Sequence, residues 1–156
     1  MSLQSTSLQS MSLHSVSLQQ NGVDPVLALR EALLARLSGD AALVALLGGP
    51  RIYDEAPRGL TGVYAVFGEA RVRDWSTGSD IGHEQELSIV VWSQPGGAKA
   101  ALEAAGRIAL LLDDVNLTLR GHRLVNLRLT NTVTRRDERA NRWSATLWLR
   151  AVTETN

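Results

Sequence analysis

Cysteine is absent from the 156 residues of this chain. That removes disulfide scaffolds, thiolate metal sites and cysteine nucleophiles together. Aromatic residues make up only 4%, with a single Phe, and no aromatic platform of the kind that holds RNA stands beside the arginines clustered at residues 135–142. Long apolar runs are missing too. The longest is Ala41–Leu47, far short of the roughly 20 residues that span a bilayer, so no membrane-spanning segment is expected. Net charge is zero, with 16 basic and 16 acidic side chains. A DNA-coating protein draws its affinity from a basic excess, and this chain has none.

What is present is ordinary for one folded domain: 44% hydrophobic and 21% charged residues in 16.9 kDa. The zero charge hides an asymmetry. Residues 1–116 carry 8 basic against 13 acidic groups, whereas residues 117–150 carry 8 arginines against Asp137 and Glu138. One reading is a solvated charge distribution. A sharper one is that an acidic and a basic face meet between copies, which fixes orientation more than it adds affinity.

The first twenty residues are four pentads, MSLQS, TSLQS, MSLHS and VSLQQ. A period of five matches neither helix nor strand, and the stretch has no charged side chain. Residues 1–22 are therefore expected to be a low-complexity tail, and residues 23–156 the folded domain.

Asp24-Pro25 is a good helix start, with Val26, Leu29, Leu33 and Leu37 following at helical spacing to Ser38-Gly39. Asp40 caps a shorter helix that ends at Gly48. Strands are expected at residues 51–53, 63–69 with an extension toward 75, and 86–93, with a flexible Gly- and Ser-rich connection over 76–82. Residues 98–112 form the strongest helix, with Ala98, Ala101, Leu102, Ala105, Ile108, Ala109 and Leu112 as its buried stripe. Lys99, Glu103 and Arg107 stand at i, i+4 steps on its other side. A long hairpin closes the chain. Its strands are 123–135, with Val125, Leu127, Leu129 and Val133 inward, and 142–152, with Trp143, Ala145, Leu147, Leu149 and Ala151 inward. The expected fold is α+β: a mainly antiparallel β-sheet with helices packed on one face, in a single domain.

A search for chemistry returns no catalytic, cofactor-binding or metal-ligating set. His14, His83 and His122 fall in the tail, a loop and a turn, none at ligand spacing from another histidine. The adjacent carboxylates Asp54 and Glu55 lie in a Gly/Pro loop, where solvation is the ordinary state. Gly96-Gly97 precedes a helix without the further glycine and lysine of a nucleotide site. Trp92, Trp143 and Trp148 suit core or interface roles in strands. Trp75 differs, because it stands at the edge of the flexible connection, where an exposed indole serves as an interface anchor. The candidate interface residues are Asp74, Trp75, Thr77 and Ile81 around that connection, and Arg135, Arg136, Arg139 and Arg142 around the closing hairpin.

Several stretches taken in order carry a resemblance: Arg51-Ile52-Tyr53-Asp54-Glu55-Ala56-Pro57, residues 86–93 with Gly96-Gly97, Gly121-His122-Arg123-Leu124-Val125-Asn126-Leu127, and residues 142–154. Over roughly residues 25–154 the chain resembles the tail-completion or tail-terminator proteins of long-tailed phages and gene transfer agents. The pentads stand outside the family pattern. The resemblance implies a non-enzymatic structural subunit without cofactors, forming a homo-oligomer, a hexameric ring. That ring caps the head-proximal end of a tail tube, ends tube polymerisation and docks to a head-side connector or stopper protein. Its implied partners are the tail tube protein and that connector, with DNA passing through the channel without specific binding and no membrane involved. Its implied location is the neck region of a phage-like particle, and the cytoplasm of the producing cell during assembly. Another head–tail connector component, such as a stopper, or a tail assembly factor is the alternative.

Overall fold

A computed structural model describes residues 22–156; the pentad repeat lies outside them. The elements run α1 (Pro25–Ser38), α2 (Ala41–Leu47), β1 (Ile52–Tyr53), β2 (Gly62–Asp74), β3 (Gly82–Gln94), α3 (Ala98–Leu112), β4 (Thr118–Leu119), β5 (His122–Asp137) and β6 (Arg142–Thr155). The six strands form one sheet in the order β1-β2-β3-β6-β5-β4. All pairs are antiparallel except β1 with β2. This is the α+β architecture with the three helices on one sheet face.

Local chemistry explains the helix ends. The Asp24 carboxylate accepts the Val26 N–H at 2.8 Å, and Pro25 needs no N–H at the first helical position. Asp40 accepts the Leu43 N–H at 2.9 Å, and Gly48, at φ 75°, closes α2 in the left-handed region. The core lies between helices and sheet. Leu29, Leu33 and Leu37 of α1, Leu43 and Leu47 of α2, and Ala101, Ala105, Ile108 and Leu112 of α3 meet Leu87, Ile89 and Val91 of β3 and Ala145, Leu147, Leu149 and Ala151 of β6. Small alanines on α3 let that helix approach the sheet closely over its central strands β3 and β6.

The expected stripe of α3 is rotated: Ala104 and Leu111 are buried and Leu102 is exposed. Contact with α2 on one side, as well as with the sheet below, draws the buried face round. Arg107 does not pair with Glu103 but reaches Asp40 at 2.7 Å, tying α3 to the cap of α2. Lys99 and Glu103 do pair, at 3.6 Å.

Strand β5 also departs from strict alternation. Val125 is exposed and Leu124 buried, because a bulge places Val125 outside the register between Leu124↔Thr153 and Asn126↔Val152. A second bulge sets Thr130 between the Leu129 and Asn131 pairs. The β2–β3 hairpin is longer than the hydrophobic pattern indicates, since β3 starts at Gly82 and includes the buried polar residues Glu84 and Gln85.

The histidines are corrected as well. His83 lies in β3 and His122 opens β5, and their rings meet edge to face with centroids 6.1 Å apart. The His122 Nε2 is 2.7 Å from the Val23 carbonyl, and neither Nδ1 has a hydrogen-bond partner among the described residues. Burial first, then the charge of His122, holds His83 below its ordinary pKa, with Asp74 and Asp24 opposing.

Candidate assembly surfaces

Strand register places the two groups of candidate residues at opposite ends of the sheet. Gly82 pairs with Glu154 at one end of the β3–β6 ladder, and Ser93 with Trp143 at the other. The 13 residues of β3 separate the 74–82 tip from the 135–142 tip by roughly 40 Å.

The first tip is tightly built, not a loose connection. The Trp75 N–H donates to the Gly82 carbonyl at 2.9 Å, and the Thr77 N–H to the Asp80 carbonyl at 2.9 Å. The Thr77 hydroxyl accepts the Asp80 N–H at 3.2 Å. Ile81, 40% exposed, accepts the Thr155 N–H at 2.8 Å through its carbonyl. Asp74 accepts the Ser76 hydroxyl at 2.5 Å and its N–H at 3.2 Å, and those two bonds hold its carboxyl below the usual range. Trp75 is 49% exposed, with its ring 5.4 Å from the Arg150 guanidinium.

That arginine belongs to a cluster which the sequence pattern does not reveal. On the sheet face away from the helices, the buried Glu84 carboxylate accepts from Arg73 on β2 and from Arg150 on β6, the latter at 2.6 and 3.1 Å. The bonds from Arg73, then those from Arg150, hold the Glu84 carboxyl below its ordinary pKa against the opposing effect of burial. The Arg71↔Glu86↔Arg150 register continues the alternation of charge, beside a shallow groove of about 370 Å³ that also touches Trp148 and Asn131.

The second tip is different. Asp137 accepts the Ala140 N–H at 3.2 Å, and Asn141 turns the chain at φ 48°. Arg142 is half-buried, its guanidinium 3.8 Å from the centre of the Trp92 ring and its Nε 3.5 Å from Asp137. It braces the base of the hairpin. Arg135, Arg136 and Arg139 are exposed and make no ion pair with any described residue. The other arginines of the basic segment are paired within the subunit: Arg120 with Glu31, Arg123 with Glu154, Arg128 with Asp113, and Arg150 with Glu84. The charge asymmetry of the sequence is thus largely cancelled in the fold and survives at this tip.

Among the described residues no group of three or more His, Asp or Glu side chains is placed to hold a metal ion. No helix there is long and apolar enough to cross a membrane.

Against known proteins, the model of the family Tail completion protein gp17 matches residues 31–154. The chain belongs to that family. A chain in a solved structure of the virion of a native gene transfer agent particle is 34% identical, covering 81% of this chain and 95% of that one, with a TM-score of 0.75. No curated protein matches. Membership assigns the tail-completion subunit a structural part in tail assembly, and both tips lie in or at the edge of strands inside the matched segment.

Proposed function

We propose that this tail-completion subunit forms a ring, hexameric as the sequence resemblance implies, on the head-proximal end of a phage-like tail tube. There it ends tube polymerisation and docks to a head-side connector or stopper. The observation that carries this reading is the placement of two chemically distinct contact elements at opposite ends of the same strands. One is a braced tip with half-exposed Trp75 and Ile81, and the other is a tip with three unpaired arginines. A subunit between two different partners needs two unlike faces, and this is the arrangement that supplies them. A ring also requires heterologous contacts between copies. The gene transfer agent virion that contains a similar chain supports a place in the neck region of such a particle. Assembly takes place in the cytoplasm of the producing cell, and residues 23–156 act as the folded unit.

DNA passes through the channel without specific binding. Neutralising a few phosphates gives weak, salt-sensitive affinity, nearer a Kd of roughly 10⁻⁴ to 10⁻⁶ M than that of specific recognition. The arginines of the hairpin serve docking. Arg136→Glu with Arg139→Glu is expected to weaken ring formation or docking, read as mass by light scattering at low and high salt. An unchanged ring in the double variant, together with nanomolar duplex binding by the wild type, would reassign the hairpin to DNA.

A further inference from the structure

Of the three described helices, two begin under a carboxylate: Asp24 caps α1 and Asp40 caps α2. Helix α3 does not. Gly97 holds its cap position without a side-chain bond, and no described residue outside the helix accepts from its first-turn N–H groups. Those groups form the positive end of a 15-residue helix dipole. The Gly97 backbone, at φ −90° and ψ 171°, is extended, and a Cβ there would meet nothing within 4 Å. The approach to the N–H groups is therefore clear.

A second polar group faces the same space. Ser93 of β3 follows Val91 on the helix side of the sheet and is only 4% exposed. Its hydroxyl has no hydrogen-bond partner among the described residues. It lies beneath the turn that leads into α3, since a Cβ on Gly96 would stand 3.6 Å from Ser93 Oγ. Ser93, Gly96, Gly97, Lys99, Ala100 and Glu103 bound an open cavity of about 440 Å³. A buried hydroxyl left without a partner is costly, and this one converges with backbone donors on one cavity.

We infer that this cavity is a carboxylate-binding site. In it the N–H groups of Lys99 and Ala100 and the Ser93 hydroxyl donate to an Asp or Glu side chain of the protein that docks against the hairpin arginines. The inference rests on the docking reading above and names its anchoring point. Position supports it. Ser93, Trp143 and Arg136 stand in one cross-strand row. Residues paired in this way share a face, so the unpaired Arg136 lies on the same side of the sheet as Ser93, two strand spacings or roughly 10 Å away. An acidic segment can meet both.

Charge selects a carboxylate over a nucleic acid. Lys99 pairs with Glu103 at 3.6 Å, so the two side chains cancel and the helix end supplies roughly half a positive charge. That suits a single negative charge. Duplex DNA carries one charge per about 1.7 Å of its axis, so seating one phosphate brings others against Glu103.

The probe is acetate, titrated into the full deuterated chain at an ionic strength held constant with chloride, and read by amide resonances. The Lys99 and Ala100 amides are expected to shift along a saturable curve. Ser93→Ala weakens binding roughly tenfold, as loss of a hydrogen bond to a charged group does. Gly97→Asp abolishes it, because the new carboxylate caps α3 and takes the same N–H groups, and melting is no lower than in wild type. Particles assembled with Gly97→Asp contain several-fold fewer heads joined to tails, counted by electron microscopy. No saturable shift in wild type, or an unaltered one in Gly97→Asp, overturns the site. Duplex DNA moving the same amides more strongly than acetate overturns the carboxylate assignment. Normal joining in Gly97→Asp overturns the anchoring role. If Arg136→Glu with Arg139→Glu still impairs joining, docking at the hairpin stands without this site, and if neither variant impairs it, the docking reading falls as well.

Discussion

The two ends of the long strands use arginine in opposite ways. At the 74–82 end Arg73 and Arg150 converge on buried Glu84, Arg123 meets Glu154, and Arg150 lies against Trp75. At the 135–142 end only Arg142 is anchored, while Arg135, Arg136 and Arg139 extend unpaired into solvent. Paired arginines hold strands in register and give the tip one shape. Unpaired ones cost nothing in desolvation until a partner arrives, and they steer its approach over a Debye length of about 8 Å at physiological salt. The first end is built as a rigid shape and the second as a charge.

The contrast is tested most strongly at Gly82. A Cβ there would stand 2.7 Å from the Trp75 carbonyl oxygen, which is backbone and is held by the hairpin closure. Gly82→Ala is therefore expected to cost about 2 kcal/mol and to lower the melting temperature by roughly 5–10 °C. Unchanged melting would mean that the tip yields easily and is not a fixed shape. At the other end the arginine reversals described above should leave melting within about 0.5 kcal/mol of wild type, since they touch no internal partner. A larger loss would show that the hairpin arginines support the fold and that their effect on assembly is indirect.

Acid separates a third kind of charge from these two. Asp40 caps α2 and also receives Arg107, and chiefly that hydrogen bond holds its carboxyl at about 2, against an ordinary 3.8. Between these values the unfolded chain takes up the proton and the fold does not. The contribution of Asp40 is thus complete above about pH 4 and is lost as pH falls through about 2. Asparagine is as good a cap as aspartate but carries no charge. In Asp40→Asn the decline of stability between pH 4 and 2, followed by denaturant midpoints, should be shallower than in wild type. An identical decline would place the acid sensitivity elsewhere, with Glu84 next.

How far the sequence carries this picture depends on the range of the interaction. Helix limits were legible because their causes are local: Asp24 with Pro25, Asp40, and Gly48 each act within one turn. The inward set of β6 was legible because that strand is central and alternates without a bulge. Strand β5 was not, since the bulge at Val125 reverses the parity of everything before it. The polar start of β3 was missed because Glu84 is buried only through arginines 11 and 66 residues away. The same distance explains the candidate surfaces. Clustered arginines could be read directly, but which remain free depends on partners such as Glu31 for Arg120, 89 residues apart. The proximity of His83 and His122 is likewise set by the sheet, through Thr153 and Thr155 of β6 between them.

The smallest effect is expected from removing what lies before the domain. A chain beginning at Gly22 keeps every contact that anchors the first helix. Val23 still offers its carbonyl to His122, and Asp24 still caps α1. The Pro25 carbonyl still accepts from the Gln85 amide at 3.1 Å, and Leu29, Leu33 and Leu37 remain in the core. The residues removed contain no charged side chain. Their leucines are spaced every five residues, a period that lines up no apolar face of a helix or strand, so little buried area is at stake. The shortened chain should melt within about 2 °C of the full one, and its light-scattering mass should be the same. A drop several times larger would show that the pentads pack on the domain, and the boundary at residue 22 would then have to move toward the start of the chain.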